Sequence, residues 1–237
     1  MKKILAIGNS YADDAFEYLS RLDNNVIIGV LYVGGCSLKT HRYNLENNLP
    51  TYTYRKDVGH GLVSVQNIKM IEALLDEKWD IITFQQASYD SGILSTYNED
   101  LDYLLVNVRK IVGEKTKFCW LMTWAYDENS GHEGFKLYHN NQQEMYDSIL
   151  NCVEKVIKKK NFYQIIYLGK FIQISRKNNI MNLTRDSYHL SLDVGRFLAS
   201  LYLYKELLGE DVALIKYYPS SISYEDFLKF KELIKLN

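Results

Sequence analysis

A chain of 237 residues, 47% hydrophobic and 14% aromatic, is long enough to bury one substantial α/β core, and no Pro-, Gly- or Ser-rich stretch divides it. A formal net charge of -1, with Lys and Arg scattered, leaves no basic footprint for nucleic acid or an acidic membrane surface. Cys36, Cys119 and Cys152 lack CxxC spacing, which argues against a disulfide framework and a zinc site; no leader or spanning segment stands out, so the chain as written reads as cytoplasmic, although a longer secreted precursor would look the same from here.

The apolar run Ile4-Leu5-Ala6-Ile7 leads straight into Gly8-Asn9-Ser10, and an amphipathic stretch over 13–22 follows. That pattern predicts a buried parallel strand, a tight turn and a helix. Such a turn displays Ser10 where the free N–H groups of a helix start favour negative charge, and a plain Asn/Ser helix cap has the same pattern. Residues 26–33 predict a second strand, ending in Gly34-Gly35-Cys36-Ser37, where bare backbone either approaches a ligand or makes an ordinary turn. A helix over 38–49 comes next, carrying His41. Tyr52-Thr53-Tyr54 and Leu62-Val63-Ser64-Val65 alternate around 56–61 and predict an inserted β-hairpin, with His60 solvated in its turn.

A short helix over 68–75 precedes a strand over 79–86, which ends in two consecutive amides, Gln85 and Gln86. Period-2 alternation lets one of the two face a site there. A helix over 98–112 and a strand over 118–122 follow, and Trp124 and Tyr126 open the loop through Gly131-His132-Glu133-Gly134. On the ligand side of an α/β sheet those two rings are candidates for a cleft wall, and packing under a long loop serves them as well. The stretch 135–160 contains a long helix, and 162–168 predicts a fifth strand. Ser191 is the expected cap of a helix over 192–208 closed by Gly209, and Ser223 that of a last helix over 224–236. Just before that penultimate helix, Asp186 and His189 lie close enough for the carboxylate to accept from the imidazole Nδ1 and fix its tautomer. Ser10, His189 and Asp186 then make a triad. The 20 Tyr residues suit sugar-stacking surfaces but more commonly serve packing.

The Gly8-Asn9-Ser10 turn after the first strand, paired with the late Asp186-x-x-His189, resembles the SGNH or GDSL-type serine hydrolases. Asn9 stands where the commonest form of that family has Asp. More particularly, Ile7-Gly8-Asn9-Ser10, Gly34-Gly35-Cys36-Ser37-Leu38, Phe84-Gln85-Gln86-Ala87-Ser88 and Arg185-Asp186-Ser187-Tyr188-His189-Leu190-Ser191 look like a bacterial branch of that superfamily. The resemblance implies a single domain over 1–237, a three-layer, doubly wound α/β/α fold with about five parallel strands, and a serine esterase needing no metal or cofactor. It implies Ser10 as nucleophile, His189 as base and Asp186 as its partner, with the N–H groups of Ser10 and Gly35 in the oxyanion hole. The family's third block, usually Gly-x-Asn-Asp, is absent, and an amide of Gln86, or else Gln85, is the residue expected to replace its Asn. Asn9, Trp124 and Tyr126 are the substrate-binding candidates. Small acyl esters are the implied substrates, acetyl on a carbohydrate above all, with lipid esters and thioesters open. A non-catalytic carbohydrate-binding protein and an acyltransferase are the alternatives the same features allow. No nucleic-acid or membrane partner is expected.

Overall fold

The computed structural model describes residues 1–57 and 61–237. Its chain runs β1 (Lys2–Gly8), α1 (Ser10–Phe16), α2 (Leu19–Leu22), β2 (Val26–Tyr32), α3 (Leu38–Glu46), β3 (Tyr52–Asp57), β4 (Val63–Ile68), α4 (Met70–Asp76) and β5 (Ile81–Phe84). It continues with α5 (Asn98–Val112), β6 (Lys117–Leu121), α6 (Gln142–Lys155), β7 (Gln164–Ile166), α7 (Leu168–Lys177), α8 (Val194–Leu203) and α9 (Tyr224–Lys235). All seven strands form one sheet in the order β4-β3-β2-β1-β5-β6-β7. The five strands β2-β1-β5-β6-β7 are mutually parallel, as the alternation of strand and helix predicts. The hairpin β3–β4 does not stand apart as an insertion: β3 pairs antiparallel with β2 and extends the same sheet at that edge. The turn of this hairpin, with His60, lies outside the described residues.

Strand β1 is apolar because it is central. Ile4, Leu5, Ala6 and Ile7 are buried, hydrogen-bonded to β2 on one side and β5 on the other. Around α8 gather α1, α2, α7 and α9, whereas α3, α4 and α5 pack with one another. The strand order reverses direction at β1, and in open α/β sheets the crevice outside the carboxyl ends at such a switch point is where ligands bind. Three loops leave the sheet there: Asn9-Ser10 after β1, Val33 to Ser37 after β2, and Gln85 to Tyr89 after β5.

Some local expectations need correction. The apolar run 162–168 is not one strand: β7 takes three residues of it, and Leu168 already begins α7. Gly169 allows that helix to lie against the β6 exit, since a Cβ there would stand 1.9 Å from the Thr123 carbonyl oxygen. The stretch 135–160 is broken by His139 and Asn140 at φ 53° and 52°, so its long helix is α6 alone. Asp193 rather than Ser191 is the cap residue of α8, while the Ser191 hydroxyl still accepts the Gly195 N–H at 2.8 Å. Gly209 closes the helical stretch at φ 73°, and Ser223 caps α9 by accepting from Asp226 N–H. Among the described residues no helix is long and apolar enough to cross a membrane.

Candidate active site

Ser10 is the first residue of α1, so its own N–H has no intrahelical acceptor, while the Asn9 side chain takes the next donor, the Tyr11 N–H, at 3.0 Å. The hydroxyl of Ser10 lies 2.8 Å from His189 Nε2. On the far side of the ring, His189 Nδ1 is 2.7 Å from Asp186 Oδ2, and that contact assigns the ring proton to Nδ1. The other oxygen of Asp186 accepts the backbone N–H groups of His189 at 2.8 Å and Tyr188 at 3.3 Å, which folds the loop around its own carboxylate. Burial opposes the charged form of Asp186, but the hydrogen bonds from the His189 ring, the two backbone N–H groups and the imidazole charge outweigh it and hold the carboxyl below its ordinary range.

A second carboxylate locks this loop to the helix that carries Ser10. Asp14 sits on α1 one turn beyond Ser10 and is 1% exposed. Its oxygens accept the Leu190 backbone N–H at 2.9 Å, Arg185 at 3.0 Å and Arg196 at 2.8 Å. Burial lifts its carboxyl above the usual value even with both guanidiniums opposing. The loop is also gripped from the β6 side, where Trp124 donates its indole N–H to the Tyr188 carbonyl at 2.8 Å and Asp127 N–H bonds the Ser187 carbonyl at 2.7 Å. Trp124 stacks on Tyr11 at 3.9 Å between ring centroids and is fully buried.

The structure places the remaining sequence candidates unevenly. Gly35 is exposed at φ +65°, with open space where a Cβ would be, so conformation and not crowding requires glycine there. Gln86 does not offer its amide to Ser10. Its oxygen accepts the Leu38 and Ala87 N–H groups at 2.9 and 2.8 Å, and its nitrogen donates to the carbonyl and hydroxyl of Thr96 at 3.0 and 3.1 Å. Gln85 points instead to Asn9, donating to its side-chain oxygen at 2.7 Å. Gly8 makes that possible by close approach, since a Cβ there would stand 2.7 Å from Gln85 Cδ. Asn9 itself is 2% exposed and donates to the carbonyls of Cys36 and Gln86 at 3.2 and 3.3 Å, tying together the ends of β1, β2 and β5. The expectation of an oxyanion donor from either glutamine, and of substrate contacts from Asn9, is therefore corrected: their amide nitrogens donate into the scaffold, although the buried Gln85 Oε1 accepts no hydrogen bond among the described residues. Trp124 and Tyr126 are likewise one layer behind the wall, both buried, with the Tyr126 hydroxyl 2.7 Å from Ser88 Oγ.

What borders Ser10 and His189 is a cavity of about 250 Å³ walled by Gly34 and Gly35, by Ser88 and Tyr89, and by His132 and Tyr188. Sequence reasoning missed Ser88, Tyr89 and Tyr188 as wall residues; the one available signal is position, since the first two directly follow the β5 amides and Tyr188 precedes His189. Tyr89 reaches across to donate to the Gly35 carbonyl at 3.1 Å. The other described histidines stand elsewhere: His41 is buried against the Tyr52 hydroxyl at 3.0 Å, and His139 is exposed beside Glu144 at 2.7 Å. A wider hollow of about 590 Å³ at the amino ends of the strands, bordered by Lys2, Asp80 and Lys117, contains none of these groups. Among the described residues no cluster of three His, Cys, Asp or Glu side chains could hold a metal ion.

The α/β fold is the one seen in GDSL-type hydrolases. A member of the lipolytic G-D-S-L family from Veillonella parvula superposes with a TM-score of 0.56 at 14% identity, over 89% of this chain and 100% of that one. Axe2, an acetyl-xylooligosaccharide esterase from Geobacillus stearothermophilus, superposes in mutant form with a TM-score of 0.54 at 13% identity, over 89% of this chain and 95% of that one. At these identities the likeness is one of fold. Residues 3–229 match the family described as a domain of unknown function, DUF4886, and the chain belongs to that family. A DUF4886 protein of known crystal structure, from Bacteroides uniformis, is 38% identical, with a TM-score of 0.93 over 98% of this chain and 93% of that one. A comparison with curated proteins finds no match.

Proposed function

We propose that this protein is a serine esterase that hydrolyses small acyl esters through an acyl-enzyme. The observation that carries the reading is the continuous hydrogen-bonded line from Ser10 Oγ through His189 to Asp186, at 2.8 and 2.7 Å, opening on a cavity. Ser10 Oγ attacks the acyl carbon as its proton passes to His189 Nε2, and Asp186 stabilises the imidazolium. The negative oxygen of the tetrahedral intermediate meets the N–H groups of Ser10 and Gly35. Ser88 is the third donor in this reading: its hydroxyl lines the cavity and shares a hydrogen bond with the Tyr126 hydroxyl in which either oxygen can donate, and with Tyr126 donating the serine proton turns to the oxyanion. On collapse the C–O bond breaks, His189 returns its proton to the leaving alcohol, and a water then attacks the acyl-enzyme with His189 again as base. Acetyl on a carbohydrate is the substrate favoured, a reading supported by the fold shared with an acetyl-xylooligosaccharide esterase.

A fluorophosphonate probe tests this directly, with the labelled peptide mapped by mass spectrometry. Labelling at Ser10 that is lost in Ser10→Ala is the expected result. An unlabelled wild-type protein that also fails to turn over p-nitrophenyl acetate overturns the reading.

A further inference from the structure

A ring nitrogen at the Ser10 cavity lacks any partner within the described residues, and its neighbours define its use. His132 precedes the short 3-10 helix Glu133–Tyr138, and its Nδ1 accepts the Gly134 N–H at 3.0 Å. An accepting nitrogen carries no proton, so in the neutral ring the hydrogen sits on Nε2. The ring is enclosed by Tyr126 and Tyr188, each 4.8 Å away between centroids, and by Tyr89 at 6.4 Å, nearly parallel at 16°. Burial first, and the neighbouring His189 second, lower its pKa against the smaller opposing pull of Glu133 and Asp186. His132, a lining residue of the cavity, is thus held toward its neutral form, with the Nε2 proton unpartnered among the described residues.

Its place relative to His189 decides which half of an ester it meets. Tyr188 bridges the two rings, 4.3 Å from His189 and 4.8 Å from His132. The leaving oxygen must lie at His189 Nε2, because that nitrogen returns its proton. The alcohol therefore emerges on the side where Tyr188 and His132 stand. Among the described residues no Lys or Arg lines the cavity, and no aliphatic side chain does, so neither an anionic carrier nor a long acyl chain is matched. Aromatic faces with one neutral N–H donor match an uncharged ring rich in oxygens.

Resting on the esterase reading above, we propose that His132 is a specificity-determining residue of an alcohol subsite, its Nε2–H donating to an oxygen of a sugar-like leaving group that packs on Tyr89 and Tyr188. The test compares kcat/KM on xylose tetraacetate and on p-nitrophenyl acetate for wild type, His132→Phe and His132→Gln. His132→Phe keeps the ring and removes the donor. It is expected to lower kcat/KM on the sugar ester on the order of 30-fold, mainly through KM, and on the aryl ester by roughly 3-fold. His132→Gln, which keeps an N–H donor, is expected to recover part of the sugar-ester loss. Equal losses on both esters would place His132 behind His189 as a positioning residue, and equal retention would mean that it touches no leaving group; either overturns the inference while leaving the esterase intact. Wild-type protein inert toward both esters and unlabelled at Ser10 overturns the esterase reading and the subsite with it.

Discussion

The ends of β1 and β5 stand side by side in the sheet and carry similar polar residues, yet they handle them in opposite ways. After β1, Asn9 closes on the scaffold and leaves Ser10 facing outward, paired with a histidine whose far nitrogen is already held. After β5, both glutamines turn inward and hold the neighbouring loops, and the first residues to reach the cavity are Ser88 and Tyr89. The difference teaches that a polar side chain at a ligand-side strand end is read correctly only by counting its donors and acceptors against the groups around it. Four hydrogen bonds saturate the Gln86 amide; the Ser10 hydroxyl keeps a single base.

Substitutions separate the outward group from the inward one. The largest expected effect is on the outward side: Ser10→Ala should remove turnover of p-nitrophenyl acetate by on the order of 10³-fold or more without moving the melting temperature by much, and retained turnover would erase the contrast. Next comes the lock between α1 and the loop that carries His189. Asp14→Ala leaves a backbone N–H unpaired and takes the carboxylate from two partly buried guanidiniums, of which Arg196 keeps Glu17 and Arg185 keeps the Leu190 carbonyl, so urea unfolding should report a loss of about 3 kcal/mol. A stable Asp14→Ala protein would show that the arginines find other partners.

His41, wholly inside, sharpens the contrast through pH. Burial pushes it down to about 4 from an ordinary 6.5. Above 6.5 neither the folded nor the unfolded chain protonates it; between 6.5 and 4 only the unfolded chain does, so stability falls as pH falls, and the loss levels off below 4. Relative to His41→Gln, the wild-type protein should lose about 3 kcal/mol across that window by denaturant titration. A parallel pH dependence in the two proteins would refute the assignment. The finest comparison lies within the β5 loop: Ser88→Ala should cost on the order of 10² in kcat, whereas Gln86→Ala should cost about 2 kcal/mol of stability and little kcat in the protein that remains folded. The reverse pattern would return the oxyanion role to the amide.

Much of the frame was legible because it is local. The apolar run into Gly8-Asn9-Ser10, the Asp186 to His189 spacing and the strand-helix alternation each occupy a few consecutive residues, and the five parallel strands follow from them. The direction of Gln85 and Gln86 was not legible, since their partners Asn9, Leu38 and Thr96 arrive from other loops that no period describes. The same holds for His132, delivered by a loop whose path is set by Gly134 and three tyrosines. The apolar run 162–168 hid the start of α7 because a buried strand and a buried helix turn look alike over so short a span. The hairpin was visible as a hairpin, but that it would lengthen the sheet on β2 depended on pairing across the chain.

The Asp14 lock bears on how the site moves. Ser10 and His189 are 179 positions apart in the chain, a separation that would leave them free to drift with their own elements. Because α1 carries Ser10 and its Asp14 also grips the Leu190 N–H, a displacement of that helix is transmitted directly to the loop that carries His189. The opposite wall is tied differently, by Asn9 donating to the Cys36 carbonyl at 3.2 Å just past the two glycines. Gly34 and Gly35 are exposed, unfilled by any side chain, and joined to Tyr89 by one hydrogen bond. The glycine side of the cavity is thus walled by backbone rather than by side chains, across from Ser10 and His189.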